Sequence, residues 1–210
     1  MVAYQAEEKR VGFAGMLKLL CFRPGRFFAE TVARDKFPFL MFSAWLVGLA
    51  HSLQWLDKFL LTPGSLITSR VSSFVFLMIM SFVFMGLFYL IGGGLFHFYA
   101  YLADTRKDIK NSMAVAVYAW MPFALVVFLT KVISILLLGR DYVNPPAGWW
   151  FQTPSMILVG LSILYGWFLA IYGAYKSLGC KKLRGFIMLF VVPILWFVFL
   201  GVFARHMGFF

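Results

Sequence analysis

Long apolar stretches alternate with short polar or turn-forming links along most of the 210-residue chain. The hydrocarbon core of a bilayer is about 30 Å thick, so a helix that crosses it needs about 20 predominantly apolar residues. Five stretches meet that requirement and predict membrane-spanning helices over about residues 37–56, 71–103, 112–138, 155–178 and 185–204. The links are too short to fold by themselves, so the pattern predicts one five-helix membrane domain over residues 37–210.

The first 36 residues predict short helices instead of a span. The apolar run GFAGMLKLLCF is too short to cross a membrane and ends before Pro24, which suits the first turn of a second helix. On that second helix, the i,i+4 pairs Arg26–Glu30 and Glu30–Arg34 lie beside an aromatic face. Residues 1–36 therefore predict amphipathic helices in the headgroup plane, which serve either as an anchor or as a docking surface for a cytoplasmic partner.

The composition agrees with a bilayer as the solvent. The chain is 62% hydrophobic and 13% charged, whereas a typical soluble domain is about half apolar and about a quarter charged. Too little polar surface remains to cover a water-facing protein, which excludes soluble enzymes, nucleic-acid modules and disulfide scaffolds as classes. The net charge of +11 is therefore attributed to the basic residues that set membrane orientation and contact anionic headgroups, and no nucleic acid is expected as a partner.

The basic residues predict an orientation. Fourteen of the 19 Lys and Arg residues fall in the N-terminal segment and in the second and fourth links, which lie on one side of a five-span chain. The opposite side has only Lys58, Arg70, Arg140 and Arg205. The positive-inside rule then predicts a cytoplasmic N-terminus and an exterior C-terminus. Cys21 and Cys180 both fall on the cytoplasmic side, where packing is a better explanation for them than a structural disulfide.

Small residues and helix breakers predict how the spans pack and bend. Spans associate through close contact of small side chains, and two stripes at four-residue spacing predict such seams: Ala44, Gly48 and Ser52, and Ser162, Gly166, Ala170 and Ala174. The 33-residue second span would measure about 50 Å, so a kink is expected within it. The predicted hinges and interruptions are Gly92, Gly93, Gly94, Pro122 and Pro193. They are read as features of helix shape, or alternatively as marks of a transport site.

One polar constellation stands out in the apolar sequence. His97, Tyr101 and Asp104 are spaced i, i+4 and i+7, so they share one helix face. Because the second and third spans are antiparallel neighbours, Tyr118 is expected to complete this cluster at the cytoplasmic mouth, beside the glycine run. The cluster is read either as a hydrogen-bonded helix end or as a functional pocket. HExxH, GxSxG, CxxC and Walker motifs are absent from the sequence, so no catalytic, metal-binding or cofactor-binding residue is predicted.

Three stretches together resemble the Yip (Ypt-interacting protein) membrane-domain family, in particular its bacterial branch. They are CFRPGRFFAE, HFYAYLADTRKDIKNSMAVAVYAWMPFAL and WFLAIYGAYKSLGCKKLRGFIML, and the most specific part is AVYAWMP at residues 116–122. The resemblance implies five spans with a cytoplasmic N-terminus. Eukaryotic members act in vesicle trafficking and bind prenylated Rab-type GTPases, but their DLYGP motif and long cytoplasmic N-terminal region are missing here.

The function that these observations favour is that of a non-enzymatic scaffold or adaptor in membrane, envelope or lipid homeostasis. It is expected in a bacterial cytoplasmic (inner) membrane. Its expected partners are membrane lipids, including anionic headgroups on the cytoplasmic side, and a membrane protein or further copies of the chain. The alternatives are a transporter or lipid-moving protein that uses the kinked second and third spans, and then an enzyme. The bundle interior distinguishes the first two, because a transporter needs a polar cavity near the midplane.

The predicted topology is tested with reporter fusions. A reporter that is active only outside the cytoplasm should be active when it is fused after Phe210 and inactive when it is fused at Lys107 or Lys182, because the basic links are retained inside. A reporter that is active only in the cytoplasm should give the reverse pattern. Both termini on the same side would contradict the five-span arrangement.

Overall fold

The part of the chain that the computed structural model describes is all-helical, with no strand in it. It comprises residues 12–30, 37–61, 70–105, 108–139, 142, 148–195 and 198–199. In chain order the helices are α1 (Phe13–Phe22), α2 (Pro24–Glu30), α3 (Phe37–Leu61), α4 (Arg70–Leu87), α5 (Gly93–Leu102), α6 (Ile109–Leu138), α7 (Gln152–Ser177) and α8 (Lys182–Phe186). A π-helical turn, Phe88–Gly92, joins α4 to α5, and a second one, Ile187–Val191, follows α8.

Within the described part of the chain, four helical segments are long and apolar enough to cross a bilayer: Pro38–Leu56, Val71–Leu102, Ile109–Leu138 and Gln152–Ser177. They coincide with the first four predicted spans, and they support an integral membrane protein. The third starts earlier than predicted because Asp108 caps it, its Oδ1 accepting from the Asn111 backbone N–H at 3.1 Å. The fifth predicted span, residues 185–204, lies partly outside the described residues, so five spans remain a prediction.

The second span is one long helical segment that contains the π-helical turn. The predicted hinge glycines lie at the end of this turn, and Gly92 and Gly93 both keep right-handed helical backbone angles. Gly93 is buried against α6, and a Cβ added there would lie 3.0 Å from Met113 Cγ. A Cβ on Gly94 would meet no atom within 4 Å. The glycine run is therefore a place of wider helical winding and of close approach to α6.

Neither proline ends its helix where it stands. Pro122 is buried inside α6, which continues as one helix, so the expected interruption of the third span does not occur. A proline removes only one backbone donor, and a helix of 30 residues that is packed on its neighbours retains the others. Pro193 is also buried and follows the second π-helical turn. The chain therefore changes its winding just before Pro193 and remains helical through it.

The small-residue stripe of the first span lies where α3 packs on α4. All three of its members are buried: Ala44, Gly48 and Ser52. A Cβ on Gly48 would overlap the Ser81 carbonyl oxygen and lie 2.6 Å from Met85 N, so the two backbones are in direct contact. Trp45 Nε1 also donates to Ser81 Oγ at 3.1 Å, which adds an interhelical hydrogen bond to this seam.

The stripe of the fourth span lies on the side of α7 that packs on α6. All four of its members are buried: Ser162, Gly166, Ala170 and Ala174. A Cβ on Gly166 would lie 3.2 Å from the Ala119 carbonyl oxygen and 3.5 Å from the Trp120 ring. Close approach of the helices is the interaction that holds spans together where apolar burial from water is absent.

The N-terminal helices pack into the bundle through their aromatic residues. Phe27 and Phe28 are fully buried, and a Cβ on Gly173 of α7 would lie 2.9 Å from the Phe28 ring. The Tyr165 hydroxyl of α7 donates to the Cys21 carbonyl oxygen at 2.7 Å. The expected helix with its aromatic face in lipid is therefore not observed for α2, because the small residue on α7 leaves room for the ring inside the protein.

The α6–α7 seam is tested with a matched pair of glycine substitutions. Gly166→Leu should lower the free energy of unfolding by about 1–3 kcal/mol, because the larger side chain forces α6 and α7 apart. Gly160→Leu is the control, since a Cβ at this exposed glycine of the same helix meets no atom within 4 Å. Thermal unfolding in detergent measures both variants. Equal melting temperatures would mean that Gly166 does not lie at a tight seam.

Candidate functional site

One end of the bundle collects the polar and charged residues. The turn from α5 to α6 and the turn from α7 to α8 both lie at this end, and α2 packs on α7 near it at Tyr172 and Gly173. Basic side chains are exposed around it: Lys110, Lys176, Lys181 and Lys182. We call it the basic end.

Asp104 links the two turns. It follows the last turn of α5 with a φ of 65°, a left-handed conformation that Asp adopts more readily than most residues. Its Oδ2 lies 3.2 Å from Arg184 Nη1 and 3.6 Å from Lys181 Nζ. More than half of each of these side chains is exposed, so each pair contributes only about 0–1 kcal/mol. The ion pairs therefore orient α8 more than they stabilise it.

Beneath Asp104, a small apolar cluster joins α5, α7 and the residues after α8. Its buried members are Ala100, Ala103, Ala174, Leu178, Cys180 and Leu189. The Cys180 thiol donates to the Ala103 carbonyl oxygen with an S···O distance of 3.7 Å. Burial raises the pKa of the Cys180 thiol, and the charge of Asp104 raises it further. Cys180 is therefore an uncharged packing residue, in agreement with the expectation from the sequence.

His97 faces the start of α6. Its Nδ1 lies 3.0 Å from Ser112 Oγ, and Ser112 Oγ itself donates to the Asp108 carbonyl oxygen at 2.8 Å. A hydroxyl has one proton to donate, so the bond to the histidine requires an N–H on Nδ1. This pair fastens the end of the second span to the beginning of the third.

Tyr118 lies deeper and has different neighbours. Its ring stacks on Phe39 at 5.4 Å and meets the edge of Phe27 at 5.1 Å between ring centres. It lies six positions after Ser112 on the same helix, which places it about 9 Å further along the axis and on another face. Tyr118 thus belongs to the aromatic cluster that holds α2 against α3 and α6.

The structure distributes the four predicted residues over different surroundings. His97 is bonded to Ser112, Asp104 to Arg184, and Tyr118 packs on Phe27, while the Tyr101 ring is about half exposed. The i, i+4 spacing correctly predicted that His97 and Tyr101 lie on one helix, α5. The prediction that Asp104 shares their helix face is wrong, because Asp104 comes after the helix has ended and its backbone is in the left-handed region.

A groove of about 580 Å³ lies between the end of α7 and the segment that begins with α8. Apolar and aromatic side chains form its walls, among them Leu164, Phe168 and Ile171 of α7 and Phe186 and Phe190. Lysines stand at one end of it. Reasoning from the sequence did not find this site, although the interleaved tyrosines and lysines of YGAYKSLGCKK were its visible signal.

Two of these lysines converge on one ring. Lys176 Nζ lies 5.4 Å and Lys182 Nζ 5.2 Å from the centre of the Tyr175 ring. Lys176 Nζ also lies 5.8 Å from the Tyr172 ring. Within the described ranges, neither ammonium group has a carboxylate within 4 Å, since Asp104 pairs with Lys181 and Arg184 instead. The open end of the groove therefore carries two ammonium groups that lie near aromatic rings.

Among the residues that the structure describes, no three His, Cys, Asp or Glu side chains are grouped so that they could hold a metal ion. Cys21 and Cys180 are both free thiols. Burial raises the pKa of the Cys21 thiol as well, so neither cysteine has the lowered pKa of a reactive nucleophile.

Comparison with protein families gives one match. The model of the Yip1 domain matches residues 17–204, a range that begins in α1 and includes every later helix described above. No curated protein and no solved structure matches the chain.

Proposed function

The chain belongs to the Yip1 domain family, and we propose that it is a non-enzymatic scaffold or adaptor in membrane, envelope or lipid homeostasis. As an integral membrane protein of this family, it would act by holding a partner at the bilayer.

The interior of the bundle is the observation that carries the proposal. Six of the buried side chains of the described residues are serine or threonine hydroxyls: Ser43, Ser52, Ser81, Ser112, Thr130 and Ser162. Each donates to a carbonyl oxygen three or four residues earlier in its own helix or cap. Hydroxyls that are satisfied in this way offer nothing to a polar solute, and a transporter needs a polar site near the midplane. A dry, packed interior favours a protein that works through its surface.

The exposed side of α1 and α2 supports an adaptor surface. Phe22 is 78% exposed, and the basic residues Lys18, Arg23 and Arg26 are exposed near it. The buried rings of Phe27 and Phe28 hold these helices on the bundle, so the surface is preorganised. Aromatic and arginine side chains together are the residue types that most often anchor a protein partner.

The membrane and the orientation are part of the proposal. A bacterial cytoplasmic membrane is proposed from the resemblance to the bacterial branch of the family, and a cytoplasmic position of the basic end is supported by the distribution of Lys and Arg. A fifth span over residues 185–204 is supported by the apolar sequence there and by the helical residues 192–195. Anionic lipids at the basic end, together with a membrane protein or further copies of the chain, are the proposed partners.

A transporter or lipid-moving protein is the second candidate, and an enzyme the third. The observation that favours transport is the π-helical turn Phe88–Gly92 in the second span, because such turns are frequent at functional sites. Beside it Gly93 packs on Met113, and the polar side chains nearby are already paired, His97 with Ser112 and His51 with the Val47 carbonyl oxygen. The turn is thus better explained by packing.

The adaptor surface is tested with two charge reversals. Full-length protein is extracted from its native membrane in polymer discs, and the proteins that accompany it are quantified by mass spectrometry. A partner in near-stoichiometric amount should accompany the wild type and fall at least about tenfold with Arg23→Glu, because like charges across an interface are strongly unfavourable. Lys110→Glu, an exposed basic residue of α6, is the matched control and should retain the partner.

Two results would contradict the proposal. One is that no protein accompanies the wild type in near-stoichiometric amount, and the other is that both variants lose it equally. Reconstitution distinguishes the second candidate, since a scaffold should leave solute and lipid flux at the level of empty liposomes. Flux above that level would support a transporter or lipid-moving protein.

A further inference from the structure

The groove along α7 has the dimensions of a lipid chain. It extends from Leu164 to Lys176, thirteen residues that span about 18 Å of helix. One leaflet of the hydrocarbon core is about 15 Å deep. Trp167 and Phe190 meet edge to face at 5.9 Å and join the two walls, and the cavity volume of about 580 Å³ is that of a small-molecule site.

The apolar and basic parts of the groove lie at the depths that a lipid requires. Helix α7 has 26 residues and is about 39 Å long, which exceeds the hydrocarbon thickness of about 30 Å. Lys176 in its last turn therefore reaches the headgroup level. Leu164 and Ile171 are on the same helix one to three turns deeper, at the level of acyl chains.

The positive charge at the open end of the groove favours the binding of an anion. Lys176 Nζ and Lys182 Nζ lie 5.4 and 5.2 Å from the centre of the same ring, so the two ammonium groups are no further apart than the sum of these distances, and their like charges repel each other. Lys181 is also at this end of the groove, although it shares Asp104 with Arg184. An anion between Lys176 and Lys182 would remove their repulsion and bind to both.

We propose that this groove binds one anionic phospholipid. One acyl chain lies along α7 against Leu164, Phe168 and Phe190, and the phosphate lies between the ammonium groups of Lys176 and Lys182. The inference rests on the proposed function in one respect, since it assigns a site to the anionic lipids proposed there as partners. It does not require a protein partner, because a lipid can occupy this groove whether or not a protein binds at α1 and α2.

Native mass spectrometry of the full-length protein in detergent tests the site with two lipids of equal chain length. Phosphatidylglycerol should bind more tightly than phosphatidylcholine, which carries no net charge. Lys176→Gln combined with Lys182→Gln should weaken phosphatidylglycerol about fivefold for each lysine, or roughly thirtyfold for the pair. Lys18→Gln combined with Lys110→Gln removes the same charge from exposed positions outside the groove and should leave the dissociation constant unchanged.

A second pair of variants tests the position of the acyl chain. Leu164→Trp fills the groove and should weaken phosphatidylglycerol at least about fivefold, the loss expected when roughly one or two buried methylenes are displaced. Leu161→Trp is the control, because Leu161 is similarly exposed on α7 and does not line the groove. Melting temperatures in lipid-free detergent verify that each variant is folded, and Leu164→Phe replaces Leu164→Trp if the larger ring destabilises the protein.

Several results would overturn the proposal. Equal affinity for the two lipids, or equal weakening by both lysine pairs, would mean that no headgroup site exists at Lys176 and Lys182. Equal effects of Leu164→Trp and Leu161→Trp would mean that no chain lies in the groove. Inorganic phosphate or glycerol phosphate that binds as tightly as phosphatidylglycerol would identify a site for a free anion instead of a lipid.

Discussion

The close approach of three helices at Gly173 is the contact on which the basic end depends. A Cβ at this position of α7 would lie 2.7 Å from Val115 Cγ1 of α6 and 2.9 Å from Phe28 Cε1 of α2. Only a hydrogen atom fits between these groups. Spans in a bilayer gain no hydrophobic energy from leaving water, so contact distance largely decides whether they associate. With glycine here, α6 and α7 close on each other and still leave room for the ring of Phe28.

The candidate sites of the basic end follow from that contact. Once Phe28 is seated, Phe27 reaches Tyr118 and Phe39, and α1 and α2 present their basic side outwards. The same length of α7 carries Tyr172, Tyr175 and Lys176 on the face that forms the groove. An ordered surface thus forms at one end of an otherwise lipid-facing bundle. It is held by the fully buried rings of Phe27 and Phe28, by the apolar cluster around Cys180 and by the exposed ion pairs of Asp104.

Hydropathy and spacing predicted those features that depend on a single helix. The first four spans follow from the length of apolar sequence, and the stripes with Gly48 and Gly166 follow from small residues repeated every four positions. Burial of Phe27 and Phe28 did not follow, because the apolar face of a short helix has the same pattern whether lipid or protein covers it. The groove was missed for a related reason, since its walls come from α7 and from the segment after α8, and no periodicity relates the two.

Hydrogen exchange in α2 tests most directly whether the N-terminal helices belong to the bundle. A seven-residue helix is not stable alone in water, so its amides are protected from exchange only if it is docked. Slow exchange is expected in α2 of the wild type, and Gly173→Ala should speed it at least about tenfold, because the added Cβ costs about 1–3 kcal/mol of packing. Gly94→Ala should leave it unchanged, since a Cβ there meets no atom within 4 Å. Rapid exchange of α2 in the wild type, or equal exchange in the two variants, would contradict the account.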